Sequence, residues 1–209
     1  VPRDRVVQTK ATVIGVGAGG RNVALQLAYM GLPVIQVMDF DKVENHNIVT
    51  QGFFPDEVGM SKVDAVKNTI ARIDPTIRVG VTDGRYQPGA AIGNAVFCCV
   101  DSIETRKQIW EAEKERILST NGIWLDGRMR GETIIVYAVS TADAAEFYET
   151  KFFPESEAQV GACTARGTIY CANISAGLQV AQFVRWLRRE ANDYEQIFSL
   201  FAGELSVHP

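Results

Sequence analysis

Apolar positions recur along this chain in two rhythms, and the rhythms alternate. Residues 10–17 (KATVIGVG) form a β-branched run closed by glycines, which predicts a buried strand. Val23, Leu27 and Met30 then recur at helical spacing, and residues 33–39 (PVIQVMD) read as the next strand. Val63, Val66, Ile70 and Ile73 mark a second amphipathic helix, with Pro75 just beyond it. Residues 77–81 (IRVGV) and 94–100 (NAVFCCV) read as a third and a fourth strand. Ile103, Arg106, Trp110, Glu113 and Ile117 share one face of a third helix, only part of it apolar.

Residues 122–125 (GIWL) are short and strand-like, and residues 133–139 (TIIVYAV) are a further strand. Asp126, Gly127, Arg128, Met129, Arg130, Gly131 and Glu132 read as a charged hairpin between them. Residues 141–161 show no clean period, which predicts a mobile loop or a poorly ordered helix. Residues 172–189 form a last long helix on Leu178, Ala181, Val184 and Leu187. Arg185, Arg188 and Arg189 suit its negative C-terminal end. Strands alternating with helices predict an α/β fold: a Rossmann-like, doubly wound, mainly parallel sheet with helices on both faces. The later strands follow one another directly and are expected to be antiparallel. A chain of 209 residues fits one domain, spanning 1–209.

Composition narrows the function classes. Hydrophobic residues make up 46% and charged residues 22%, which is ordinary for a globular protein. A net charge of −4 argues against a nucleic-acid partner, which normally meets a basic face. No apolar run approaches the ~18 residues of a membrane span. Cys98, Cys99, Cys163 and Cys171 contain no CxxC pair, so no zinc is expected and a reduced, cytoplasmic protein is the economical reading. Cys98 and Cys99 read as strand core and Cys171 as packed inside a helix.

Gly15-Val16-Gly17-Ala18-Gly19-Gly20 fits GxGxxG between a strand and a helix. Gly15 permits the turn, Gly17 lets backbone approach a phosphate, and Gly20 allows close helix packing. The helix N-terminus offers free N–H groups to an anion. Asp39 ends the second strand, where a dinucleotide fold places a carboxylate for ribose hydroxyls. An acid there disfavours NADP but does not separate NAD from ATP.

Downstream, Asp39, Asp41, Asn47, Gln51, Lys62 and Asp101 follow the glycines in an order that resembles the ThiF/MoeB/ubiquitin-activating superfamily. The resemblance continues through Cys163-Thr164-Ala165-Arg166-Gly167 and the last helix. It implies adenylation of the C-terminal glycine carboxylate of a ubiquitin-like or sulfur-carrier protein, with ATP and Mg²⁺ as cofactors and a homodimer as assembly. It also implies roles: Asp39 on the ribose, Asn47 and Lys62 on the phosphates, Asp101 on the metal, and Cys163 as acceptor of the activated carboxyl. Cys163 precedes a helix, whose N-terminus lowers a thiol pKa. Asp101 reads equally well as the N-cap of the helix after it.

The family's Arg before Gln is Thr50 here. Arg3, Arg5, Arg21, Arg128 and Arg130 are substitutes among which the sequence does not choose. Two other readings stand beside the enzyme: a catalytically inactive scaffold subunit of the same family, and an NAD-dependent oxidoreductase. The oxidoreductase shares the glycine loop and Asp39 but gives Asn47, Gln51 and Lys62 no task.

Overall fold

The computed structural model describes residues 1–154 and 169–209. Eight strands form one sheet: β1 (Lys10–Ile14), β2 (Val34–Asp39), β3 (Arg78–Asp83), β4 (Ala95–Cys98), β5 (Ile123–Arg130), β6 (Thr133–Val139), β7 (Glu195–Ser199) and β8 (Glu204–His208). Their order is β3-β2-β1-β4-β5-β6-β7-β8. Strands β1 to β5 pair in parallel, and β5 to β8 pair antiparallel. The mainly parallel, doubly wound sheet with late antiparallel strands is therefore the observed fold. Strand order reverses between β1 and β4, and in open α/β sheets ligands bind at the carboxyl ends of the strands beside that reversal.

The helices are α1 (Arg3–Gln8), α2 (Ala18–Tyr29), α3 (Asn45–Gln51), α4 (Lys62–Ile73), α5 (Ile103–Ser119), α6 (Ala142–Glu149) and α7 (Ile169–Leu187). Side chains alternate across the strands and so feed two cores. On one face Val13, Val37, Phe97 and Leu125 pack with Leu27 of α2, Val66 of α4 and Phe183 of α7. On the other, Ile14, Met38, Val96 and Trp124 pack with Trp110 of α5 and Tyr148 of α6. Full cover on both faces is why β1, β4 and most of β2 read as near-continuous apolar runs.

Three expectations change. The first half of residues 141–161 is helix α6, capped by the Thr141 hydroxyl accepting from Ala144 N at 3.2 Å, and it buries Ala144, Ala145 and Tyr148. Its two turns are too short to display a helical period in sequence. Second, β5 runs on to Arg130, so Asp126 to Arg130 belong to a strand and only Gly131 and Glu132 form the turn. Third, α1, α3, β7 and β8 carry no strong apolar rhythm; β8 is exposed throughout.

Candidate nucleotide site

Register places Ile14, Met38, Cys98 and Asp126 side by side across β1, β2, β4 and β5. The residues that follow them emerge together at the carboxyl edge of the parallel strands. Gly15 turns there with φ +84°, and a Cβ on it would lie 2.9 Å from the Cys99 carbonyl. A side chain at Gly20 would meet the Gly15 carbonyl oxygen at 1.8 Å. Both glycines are thus demanded by the backbone itself. Gly17 is different: a Cβ there would make only ordinary contact, its nearest described neighbour being the Gln51 amide at 3.7 Å, so the backbone itself does not demand this glycine.

Asp39, nearly buried, holds this loop. Its Oδ2 accepts from Val16 N at 2.7 Å and its Oδ1 from Asp41 N at 2.9 Å. A carboxylate has about four acceptor sites, so these two bonds leave capacity for ligand hydroxyls. Asp41 in turn receives Lys62 Nζ at 2.8 Å, and Lys62 N donates to the Asp41 carbonyl at 2.9 Å. The Lys62 side chain is only 7% exposed, against 48% for Asp41. Lys62 is therefore no solvated surface lysine. Ser61 caps α4 by accepting from Asp64 N, which sets Lys62 on the first helical turn, where its charge opposes the macrodipole.

Asn47 is buried, and its Oδ1 accepts from Glu44 N at 2.8 Å, closing the start of α3. Gln51, at the other end of α3, faces Gly17; its Oε1 is buried without a hydrogen-bond partner. Thr50 is buried, and its hydroxyl donates to the His46 carbonyl at 2.7 Å, on its own helix. His46 itself is exposed beside Glu44.

Asp101 follows β4, the strand whose end packs on Gly15. It is not the cap of α5: Ser102 is, with its Oγ accepting from Thr105 N at 3.2 Å. Asp101 is exposed and accepts from Ser102 N at 2.9 Å. Its loop is anchored by a network that sequence reading missed. Arg106 of α5 donates to the carbonyls of Cys98 and Val100 and pairs with Asp126, which is fully buried. Arg128 Nε reaches Asp126 at 2.9 Å and the Tyr148 hydroxyl reaches it at 2.7 Å. Burial works against the Arg106 charge, and Asp126 more than offsets it, leaving its pKa raised. Burial, with Asp126 next to it, pushes the Tyr148 phenol well up, so it stays a donor. Two of the three partners of this buried carboxylate lie 20 residues before it and 22 after, so sequence spacing alone does not reveal the network.

The structure thus brings Gly15, Gly17, Gly20, Asp39, Asp41, Gln51 and Lys62 into one contiguous edge, with Asp101 on the adjoining loop. Cys163 lies outside the described residues. Cys98 and Cys171 are buried and Cys99 half-buried, and burial raises all three thiol pKa values, Cys98 to about 12. The arrangement fits a nucleotide with a divalent cation: a glycine loop opening a helix, a buried amide oxygen unpartnered among the described residues, a sheltered lysine and an exposed carboxylate. Among the described residues no cluster of three or more His, Cys, Asp or Glu side chains forms a metal cage. Mg²⁺ commonly needs only one or two carboxylates plus substrate phosphates. A separate cleft of 710 Å³ lies at the opposite end of the sheet, lined by Arg5, Trp186, Arg189 and Tyr194 among others, and holds none of these residues. Among the described residues no helix is long and apolar enough to cross a membrane.

Comparison with known proteins agrees with this geometry. The sequence matches the model of the ThiF family over residues 3–204. Ubiquitin-like modifier-activating enzyme 5 of Caenorhabditis elegans is 27% identical over 139 residues, covering 59% of this chain and 32% of that protein. The Arabidopsis thaliana protein of that name is 28% identical over 133 residues, covering 54% of this chain and 31% of that protein. The matches therefore span about a third of these relatives. Among solved structures, E. coli MccB with ATP superposes with a TM-score of 0.74 at 14% identity, over 98% of this chain and 65% of that one. PaaA superposes with a TM-score of 0.74 at 22% identity, over 98% and 65%. At such identities the likeness is one of fold.

Proposed function

Because this chain belongs to the ThiF family, we propose that it is an adenylyltransferase-type enzyme that uses MgATP to activate a C-terminal glycine carboxylate on a ubiquitin-like or sulfur-carrier protein. The observation that carries the reading is the linked edge Val16–Asp39–Asp41–Lys62, in which two carboxylates tie a sheltered lysine to the glycine loop. The related names point to ubiquitin-like modifiers, and MccB is a fold relative solved with ATP.

In this reading a carboxylate oxygen of the carrier attacks the α-phosphorus of ATP. The bond to the β-phosphate oxygen breaks, pyrophosphate leaves with the electron pair, and an acyl adenylate remains. Carboxylates are weak nucleophiles, so the gain comes from stabilising charge on the phosphates. Lys62, oriented by Asp41, supplies a fixed cation. Asp39 holds the loop and keeps acceptor capacity for ribose hydroxyls. Mg²⁺, held by Asp101, supplies charge neutralisation on the phosphates when bound. A second step belongs to the same proposal: the Cys163 thiolate attacks the acyl carbon, AMP leaves, and a thioester forms.

Calorimetric titration with MgATP, with NAD⁺ as control, tests the reading. The expected result is MgATP binding that weakens in Asp39→Ala and Asp101→Ala, followed by AMP transfer to a Gly-ended carrier. NAD⁺ binding in place of ATP would return the chain to the oxidoreductases. MgATP binding without AMP transfer to any Gly-ended carrier would favour the inactive scaffold.

A further inference from the structure

We propose that Arg21 is the cation that receives the outer phosphates of the nucleotide, across a floor made by Gly17, Gln51 and Gly52; the inference rests on the MgATP reading above. Arg21 sits on the first turn of α2, its backbone N–H bonded to the Gly17 carbonyl at 3.0 Å. Its side chain crosses toward the end of α3. One terminal nitrogen lies 3.4 Å from where a Cβ on Gly52 would stand, so the guanidinium rests against the left-handed turn (φ +77°) that ends α3.

The residue is 4% exposed, yet among the described residues its guanidinium makes no hydrogen bond and no ion pair, and Nε is buried without a partner. What it has are ring faces: Phe53 at 5.0 Å and Phe54 at 5.6 Å. Burying a charge without a paired counter-charge is costly. Burial lowers the Arg21 pKa, and Glu57 opposes that only in part. Other sheltered cations at this edge have carboxylates: Lys62 has Asp41, and Arg106 and Arg128 have Asp126. Among the described residues Arg21 has no paired carboxylate, which leaves its charge available to an anion that a ligand brings.

A second group points the same way. The Gln51 amide lies against Gly17 with its oxygen buried and unpartnered. Rotating that amide by half a turn puts its NH₂ at the same place, as a donor to a phosphate oxygen. The free N–H groups at the start of α2 add to the field. Thr50 contributes nothing here, because its hydroxyl is turned back onto the His46 carbonyl.

The test is calorimetry with inorganic pyrophosphate, MgATP and adenosine on the wild type, Arg21→Met and Arg21→Lys, with thermal unfolding of each. Charge-assisted bonds to phosphate are strong enough that Arg21→Met is expected to lose roughly 10- to 100-fold in pyrophosphate and ATP affinity. Adenosine affinity should stay within about twofold, Arg21→Lys should recover part of the loss, and the Arg21→Met midpoint should be no lower than wild type. Unchanged pyrophosphate affinity in Arg21→Met overturns the inference. So does an equal loss for adenosine, or unfolding of Arg21→Met, since either makes Arg21 a structural cation. ATP bound equally well by the wild type and by Arg21→Met sinks this inference alone and leaves the MgATP reading standing. Pyrophosphate binding through Arg21 with no adenosine binding sustains the anion site and sinks the nucleotide reading instead.

Discussion

Two arginines lie buried in this molecule to nearly the same degree, Arg21 at 4% and Arg106 at 5% exposure. In both, Nε lacks a partner. Their terminal nitrogens part company. Those of Arg106 are spent on Asp126 and on the Cys98 and Val100 carbonyls, so it clamps β4 to β5 and fixes the strand end from which the Asp101 loop departs. Those of Arg21 find ring faces and no hydrogen-bond acceptor among the described residues, with Glu57 acting only through its field. Burial alone therefore does not tell what a charge is for. A charge cancelled within the fold stabilises geometry, and a charge without a pair among the described residues is the one we assign to a ligand.

The largest expected effect breaks the cancelled side. Asp126→Ala strands Arg106 and Arg128 in the core and should lower the unfolding free energy by about 3–5 kcal/mol in urea titration. Arg21→Met should differ from wild type by about 1 kcal/mol or less in the same assay. Similar losses for both would erase the contrast.

On the ligand side, Lys62→Ala should slow AMP transfer by about 10²- to 10³-fold, the usual effect of removing one fixed donor from a developing charge. Because Asp41 stays solvated, its thermal midpoint should move little. A large drop in midpoint with unchanged transfer would make Lys62 a structural residue.

Cys98 gives a smaller test on the clamped side. Burial pushes its thiol up to about 12, with Arg106 opposing. Below the unfolded thiol pKa of about 8.5 the folded and unfolded chains both hold this proton. Above it only the folded chain does, so stability should fall with rising pH by at most about 1.4 kcal/mol per unit. Iodoacetamide at pH 8 should accordingly label Cys98 only as the chain unfolds, and rapid native labelling would show that side to be open.

The smallest effect belongs to an exposed pair. Lys114 and then Trp110 hold the Glu149 carboxyl below its usual range. That stabilisation is present above about pH 4.5 and lost as pH falls. At a half-exposed site Glu149→Gln should cost about 0.2–1 kcal/mol, read as a midpoint shift that salt diminishes. A cost equal to that of Asp126→Ala would contradict the weight placed on burial.

Much of the nucleotide edge is written locally. GxGxxG after a β-branched run, Asp39 at the end of the next strand and Ser61-Lys62 opening a helix are short-range patterns, and each stands where its spacing predicts. The central strands and long helices are legible for the same reason, since periods of 2 and 3.6 report which face is buried. Helix α3 is not, because its seven residues NHNIVTQ hold two apolar side chains, and its start is closed by polar contacts around Asn47. Nor are β7, which is half-buried along nearly its whole length, and β8, which is exposed throughout, so neither shows a buried face by alternation.

Charge pairing is the remaining divide. Apolar rhythm settles that this chain makes a doubly wound sheet with a glycine loop at its edge. It is silent on which of five arginines serves that edge and on why an aspartate stands inside β5. Those answers depend on residues far apart in sequence meeting across the sheet, as Arg106, Asp126 and Tyr148 do, or on a cation that pairs with no carboxylate among the described residues, as Arg21 does. Hydrophobic burial leaves its mark on every neighbouring turn of chain, whereas the desolvation of a charge is decided by whichever single group the fold brings beside it.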